Sequence, residues 1–90
     1  MSLFTIIAQV GGGTYLLQVK AASARKAVEK WAHAPEIEEI APFVDLPLDE
    51  IRAKIDEINI KKERELTNYW EGDLPVRGEV LILHIVGTKE

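Results

Sequence analysis

Near the start of the chain, apolar residues recur at every second position on both sides of a run of three glycines. This alternation is typical of strands with one buried face, and glycines supply the positive φ angles that a tight hairpin turn requires. We expect the turn at Gly12 and Gly13, or within a loop over residues 11–14, so that Val10 faces Tyr15. Either geometry collects the apolar residues on one buried face, which comprises Phe4, Ile6, Ala8, Val10, Tyr15, Leu17 and Val19.

Alternation with period two returns on both sides of Arg77 and Gly78, which predicts a second hairpin over residues 69–86. Its last strand is apolar on both faces apart from His84, as expected of a central strand. Pro75 assigns the other strand to an edge, because proline cannot donate a hydrogen bond to a sheet ladder. The predicted cross-strand pairs are Leu74 with Leu81, Gly72 with Leu83, and Trp70 with Ile85.

Two helices are predicted between the hairpins, because apolar residues there recur with helical spacing. Ser23 caps the first helix, which runs over about residues 24–33 and buries a stripe made of Ala24, Ala27, Val28 and Trp31. On its opposite face, Arg25, Glu29 and His33 follow one another at four-residue steps, a pattern that favours surface ion pairs.

The second helix buries a stripe made of Leu48, Ile51, Ile55 and Ile58. Asp45 is its expected cap, and Asn59 is expected to end it in a left-handed conformation. Before this helix, residues 35–47 form an irregular crossing that contains Phe43. We favour burial of Phe43, with an exposed docking surface as the alternative.

Together these elements predict a single α+β domain over residues 1–90, in the order ββααββ. Its four-stranded antiparallel sheet has the strand order 2-1-4-3, and both helices pack on one face. The other face stays partly open and offers an interaction surface. Its principal members are Ile7, Leu16, Tyr69, Val80, Ile82 and Val86.

The charge balance makes nucleic acid an unfavourable partner for this chain. There are 11 Lys and Arg residues against 15 Asp and Glu residues, so the formal net charge is −4. Nucleic-acid binding depends on clustered basic side chains, whereas a basic protein would suit this balance better. The chain has no cysteine and no apolar run near the length of about 20 residues that a membrane span needs. We therefore expect a cytosolic protein without membrane association.

One cluster merits a test for chemistry, namely Glu71 and His84 as a cross-strand pair, with Tyr69 and Asp73 nearby. A carboxylate beside an imidazole can act in general acid and base catalysis, but such a pair on a sheet surface is more often a polar contact. His33 and His84 lie on separate elements, so no metal site is predicted, and no motif indicates a cofactor. The leading hypothesis is a non-catalytic interaction module that forms a homodimer or binds a basic partner. The alternative is a small-ligand binder or enzyme that uses Glu71, His84 and Tyr69.

Several motifs are similar to those of a family of small bacterial proteins that has no established activity. Its pattern is G-G-T-Y-x-x-Q-V, then a helix ending in K-W, then N-x-W and a final hairpin. This resemblance covers nearly the whole chain and implies the two-hairpin fold. The matching residues are Gly12, Gly13, Thr14, Tyr15, Gln18, Val19, the helix over 23–31, Asn68, Tyr69 and Trp70.

The first third of the chain also resembles the HicB-type antitoxins, in which a glycine-containing hairpin precedes an alanine-rich helix. This resemblance implies an antitoxin-like or immunity-like role. The chain shows no obvious DNA-binding segment after its second hairpin, so the resemblance does not extend to operator binding.

Overall fold

Two β-hairpins, two α-helices and a short 3₁₀ helix build the fold in the computed structural model, which describes residues 2–40, 42, 47–62, 68–76 and 79–88. The first hairpin and helix are followed by the 3₁₀ helix, and the second helix precedes the second hairpin. The elements are β1 (Ser2–Val10), β2 (Gly13–Ala21), α1 (Ala24–Ala32), the 3₁₀ helix (Pro35–Glu39), α2 (Leu48–Asp56), β3 (Lys61–Lys62), β4 (Tyr69–Val76) and β5 (Glu79–Thr88).

Within the described residues, the sheet has five strands in the order β2-β1-β5-β4-β3, and all neighbouring strands are antiparallel. The predicted α+β class and the arrangement of the four long strands are confirmed, but the predicted count of four strands is wrong. The additional strand, β3, pairs Lys61 with Glu71 and Lys62 with Trp70 at the edge of the sheet. Two exposed lysines carry no apolar alternation, so the pattern did not predict a strand there.

The turn of the first hairpin lies one residue earlier than predicted. Gly11 and Gly12 form it, with φ angles of 58° and 79°, and Val10 pairs with Gly13. Positive φ at both central positions is the requirement of a type I′ turn. The predicted pairing of Val10 with Tyr15 is therefore wrong by two residues along β2. Because the side-chain period of a strand is two, this shift leaves every residue on its predicted face.

The second hairpin has the predicted register, since Trp70 pairs with Ile85, Gly72 with Leu83, and Leu74 with Leu81. Its predicted turn residues, Arg77 and Gly78, lie outside the described residues. β5 lies between β1 and β4, so the prediction of a central last strand is confirmed.

The core lies between one sheet face and the two helices, as the patterns predicted. Trp31 and Ile55 are almost completely buried there, whereas Leu48 at the start of α2 is only partly buried. Ile37 and Ile40 also join the core, from the 3₁₀ helix and the residue that follows it. The other core residues are Phe4, Ile6, Ala8, Val10, Ala21, Ala24, Ala27, Val28, Ala32, Ile51, Ile58, Leu81, Leu83 and Ile85.

Among the described residues, Arg25, Glu29 and His33 do not form the expected ion pairs with one another, and Arg25 and His33 instead contact residues at the end of α2. Arg25 donates to the carbonyl oxygens of Asp56 and Ile58, and His33 Nε2 lies 3.5 Å from the carboxylate of Asp56. Glu29 instead pairs with Lys26, at 3.4 Å. The sequence pattern places these groups on one face of α1 but contains no information about the helix that packs beside it.

The ends of α2 also differ from the expectations. The helix ends at Asp56, and Glu57 caps it with φ −94°, so the prediction of a left-handed Asn59 is wrong. Asn68, with φ 56°, is instead the residue with a positive φ among the described residues other than glycine. The predicted cap Asp45 and the predicted buried residue Phe43 lie outside the described residues.

Candidate functional site

The sheet face that points away from the helices carries the residues predicted for an interaction surface. No described helix or strand packs over this face. Among the described residues, the large apolar side chains that are exposed are Leu16, at 66%, and Val80, at 48%. Ile7, Tyr69, Ile82 and Val86 are half-buried. We call this surface the open face.

Strand register places the apolar members of the open face beside one another. Ile7 in β1 lies directly between Leu16 in β2 and His84 in β5. In the pair formed by β4 and β5, Tyr69 lies opposite Val86. Ile82 is next to His84 on the same side of β5, because residues two apart share a face. The result is a continuous surface that crosses the four long strands.

A chain of polar side chains crosses the centre of the open face. The Tyr69 hydroxyl and His84 Nδ1 share a hydrogen bond, and His84 Nε2 lies 3.1 Å from Gln9 Oε1. A neutral imidazole satisfies both contacts, accepting at Nδ1 from the hydroxyl and donating at Nε2 to the amide oxygen. Both ring nitrogens of His84 are therefore engaged by neighbouring strands.

The two carboxylates predicted to lie near His84 are on the open face, but they line a depression that His84 does not line. Glu71 is the direct cross-strand neighbour of His84, and Asp73 is that of Ile82. Both are exposed, and within the described chain no hydrogen bond or ion pair joins either carboxylate to His84. They instead border a depression of about 400 Å³, together with Lys61 and Val80. Tyr69 and His84 do not line this depression.

Gln9 is the member of the polar chain that the sequence reasoning did not single out among the candidate groups. Alternation along β1 places Gln9 on the same face as Ile7, one strand away from His84. Its pairing partner is Ile82, so it reaches His84 diagonally. Long side chains can span such diagonal neighbours in an antiparallel pair. Register together with side-chain length was the signal that could have identified it.

A larger groove, of about 870 Å³, lies elsewhere, between the start of α1 and the end of α2. Ser23, Arg25, Asn59 and Trp70 are among the residues that line it. The side chains of Ser23 and Arg25 already have partners: Ser23 accepts from the backbone of Lys26, and Arg25 donates to the carbonyl oxygens of Asp56, the last residue of α2, and of Ile58 just after it. These two polar side chains of the groove are therefore already engaged, one in capping α1 and the other in joining α1 to the end of α2.

The described residues contain no group of three or more His, Cys, Asp or Glu side chains that could hold a metal ion. In the same part of the chain, no helix has the length and apolar character needed to cross a membrane.

Comparison of the chain with models of protein families finds no match, and searches of curated proteins and of solved structures likewise find none.

Proposed function

We propose that this protein is a small non-catalytic interaction module that self-associates through its open face. The observation that carries the proposal is the exposure of Leu16 and Val80 on a face that already includes half-buried Ile7, Ile82 and Val86. Contiguous apolar surface on a small soluble domain is a feature of protein interfaces. Covering it removes apolar area from water, which favours association.

The charges of the open face support a second copy as the partner. Glu71 and Asp73 contribute two carboxylates, while Lys20 and Lys61 contribute two ammonium groups on the same face. Although the whole chain has a net charge of −4, these four described groups balance. Two copies of this face can therefore approach without the like-charge repulsion that opposes binding.

The polar chain of the open face is also suited to burial in an interface. Tyr69, His84 and Gln9 satisfy one another through hydrogen bonds within the sheet. Polar groups that are already paired lose less when water is removed than groups left without partners. This network supports a structural role for His84. The alternative of a ligand site or enzyme built on Glu71, His84 and Tyr69 stays a prediction.

The proposal is tested by light scattering of the purified protein over a range of concentrations. We expect a mass that rises toward twice the 10.1 kDa of the chain. Because Val80 is exposed, Val80→Asp should preserve the fold. Ile82→Asp is a separate variant that places the charge at the centre of the face. Burying an unpaired carboxylate should weaken association about tenfold or more in either variant.

Ala53→Asp is the matched control, since it adds the same charge at an exposed position of α2 on the other side of the molecule. It should leave the mass unchanged. A wild-type protein that remains at 10.1 kDa across all concentrations would contradict the proposal. So would folded Val80→Asp and Ile82→Asp variants that associate as the wild type does.

A further inference from the structure

The outer edge of β2 is a second exposed surface of the sheet. β2 is nine residues long and lies at the end of the sheet, so its only described strand neighbour is β1. The closing pair of the hairpin, Val10 with Gly13, must exchange both hydrogen bonds, because the two-residue turn allows no other pattern. Every second residue from Gly13 then bonds to β1. Thr14, Leu16 and Gln18 consequently direct their backbone N–H and C=O groups outward.

A groove of about 310 Å³ runs along this edge on the helix side of the sheet. Its apolar lining includes Tyr15 and Leu17 of β2, together with Trp31 and Ile40. Of these, Trp31 and Ile40 are almost completely buried. A strand that paired with β2 would place alternate side chains directly into this groove, because successive side chains of a strand point to opposite faces.

The rim of the groove is acidic. Glu36 and Glu39 of the 3₁₀ helix line it, both are exposed, and no Lys or Arg is among the described residues that line it. Carboxylates that face solvent beside an apolar groove favour a partner with basic side chains. The excess of acidic residues over the whole chain acts in the same direction at longer range.

We propose that the β2 edge binds an extended segment of a basic protein as an additional strand of the sheet. Main-chain hydrogen bonds to Thr14, Leu16 and Gln18 supply affinity, as in other complexes formed by strand addition. Apolar side chains at alternate positions of the segment fill the groove. Lysine or arginine side chains that flank them pair with Glu36 and Glu39.

A second copy of β2 fits this edge less well than a basic segment does. The side chains that a second β2 would direct into the groove are Tyr15, Leu17 and Val19, none of which is basic. Glu36 and Glu39 would then gain no partner. This site shares Leu16 with the open face but uses the backbone of that residue and a groove on the helix side of the sheet, so the inference does not depend on self-association through the open face.

The probe is a fluorescein-labelled peptide with the sequence acetyl-KTVTVTK-amide, in which lysine and valine share one face of the strand. Anisotropy should increase on titration with the protein, and added salt should weaken binding because exposed ion pairs are screened. A peptide with glutamate in place of lysine should bind about tenfold more weakly or not at all, since like charges then face each other.

On the protein side, the double variant Glu36→Gln and Glu39→Gln removes the acidic rim without changing the apolar groove. We expect its affinity for the lysine peptide to fall about five- to tenfold, the combined effect of two exposed ion pairs. Glu38→Gln is the matched control. It lies on the same 3₁₀ helix and is exposed, but it does not line the groove, so affinity should not change.

Gln18→Pro tests the main-chain contribution, because it removes one outward N–H group and no backbone hydrogen bond to β1, and because Gln18 does not line the groove. We expect it to abolish peptide binding, with circular dichroism as the check of folding. Ile82→Asp lies on the open face and should bind the peptide as the wild type does.

Absence of binding to the wild type, or equal binding of the lysine and glutamate peptides, would overturn the proposal. Unchanged affinity of the Glu36→Gln and Glu39→Gln variant would also overturn it. If Gln18→Pro disrupts a wild-type dimer that Val80→Asp leaves intact, while the peptide fails to bind, a second copy occupies the edge and the basic segment does not.

Discussion

The Nε group of Arg52 in α2 donates a hydrogen bond of 3.0 Å to the carbonyl oxygen of Ala32, the last residue of α1. The reverse contact also exists, since Arg25 of α1 donates to the carbonyl oxygen of Asp56, the last residue of α2. The last carbonyls of a helix have no partner within the helix and carry partial negative charge. Each helix therefore supplies a guanidinium that caps the C-terminal end of the other.

Replacement of Arg52 with alanine should destabilise the fold by about 1 to 2 kcal/mol, because a half-buried charged hydrogen bond and the packing of the side-chain stem are both lost. The free energy of unfolding in urea is the measurement. Lys54→Ala serves as the control on the same helix, since Lys54 is exposed, and it should change stability by less than about 0.5 kcal/mol. Equal effects of the two substitutions would show that the contact with Ala32 does not stabilise the fold.

The Gly11–Gly12 turn leads to a second prediction. Gly12 has φ 79°, and an added Cβ would meet nothing within 4 Å, so a side chain there is opposed by backbone strain alone. We expect Gly12→Ala to cost about 1 kcal/mol in the free energy of unfolding. Gly12→Asn should cost less, because asparagine tolerates the left-handed region and is common in type I′ turns. Equal losses for alanine and asparagine would contradict this explanation.

The same hairpin shows how far alternation can determine a fold. Moving the pairing by two residues exchanges no side chain between the faces, so the pattern predicts which residues are buried but leaves the turn position open. Glycine at three successive positions provides no further discrimination. In the second hairpin, the apolar last strand is central and the predicted register is the observed one, but the edge position that Pro75 predicted for β4 is wrong, because β3 pairs with β4 at Trp70 and Glu71.

Gly87 provides a third prediction, since it sits where two aromatic rings approach the sheet. The Phe4 and Trp70 rings meet edge to face, with centroids 5.7 Å apart. A Cβ at position 87 would lie 3.3 Å from an atom of each ring. We expect Gly87→Ala to force the rings apart and to destabilise the fold by about 1 to 3 kcal/mol.

Thr88→Ala is the control for Gly87→Ala, because Thr88 is the exposed neighbour in the same strand. Urea unfolding compares the two variants, and near-ultraviolet circular dichroism reports the packing of the aromatic side chains, Phe4 and Trp70 among them. Increased stability of Gly87→Ala would mean that the rings yield easily and that the reduced entropy of the unfolded chain dominates.

For the candidate site, the sequence predicted which residues share a face of the sheet but not which side chains contact one another. Alternation placed Tyr69, Glu71 and His84 together on the open face, and their register is as predicted. Which neighbour bonds to His84 depends on side-chain length and rotamer, which a pattern does not encode. Similarly, the acidic groove beside β2 depends on the 3₁₀ helix over Pro35–Glu39, which the sequence analysis treated as an irregular crossing.

The contacts of His84 can be resolved by double-mutant cycles, which measure the interaction between two side chains after the separate effects of each are removed. We expect Tyr69→Phe and His84→Ala to show a coupling energy of about 0.5 to 1.5 kcal/mol, since the phenylalanine keeps the ring and removes only the hydrogen-bonding hydroxyl. The measurement is the free energy of unfolding of the two single variants, the double variant and the wild type.

Glu71→Gln with His84→Ala is the matched cycle, because Glu71 lies directly opposite His84 and yet shares no hydrogen bond with it in the structure. Its coupling should be less than half that of the Tyr69 cycle. This outcome would identify Tyr69 as the side chain that positions His84 and would leave Glu71 as a solvent-facing carboxylate. The opposite ranking would mean that Glu71 and His84 form the closer pair in solution, and it would favour the ligand-binding or catalytic alternative over the structural role of His84.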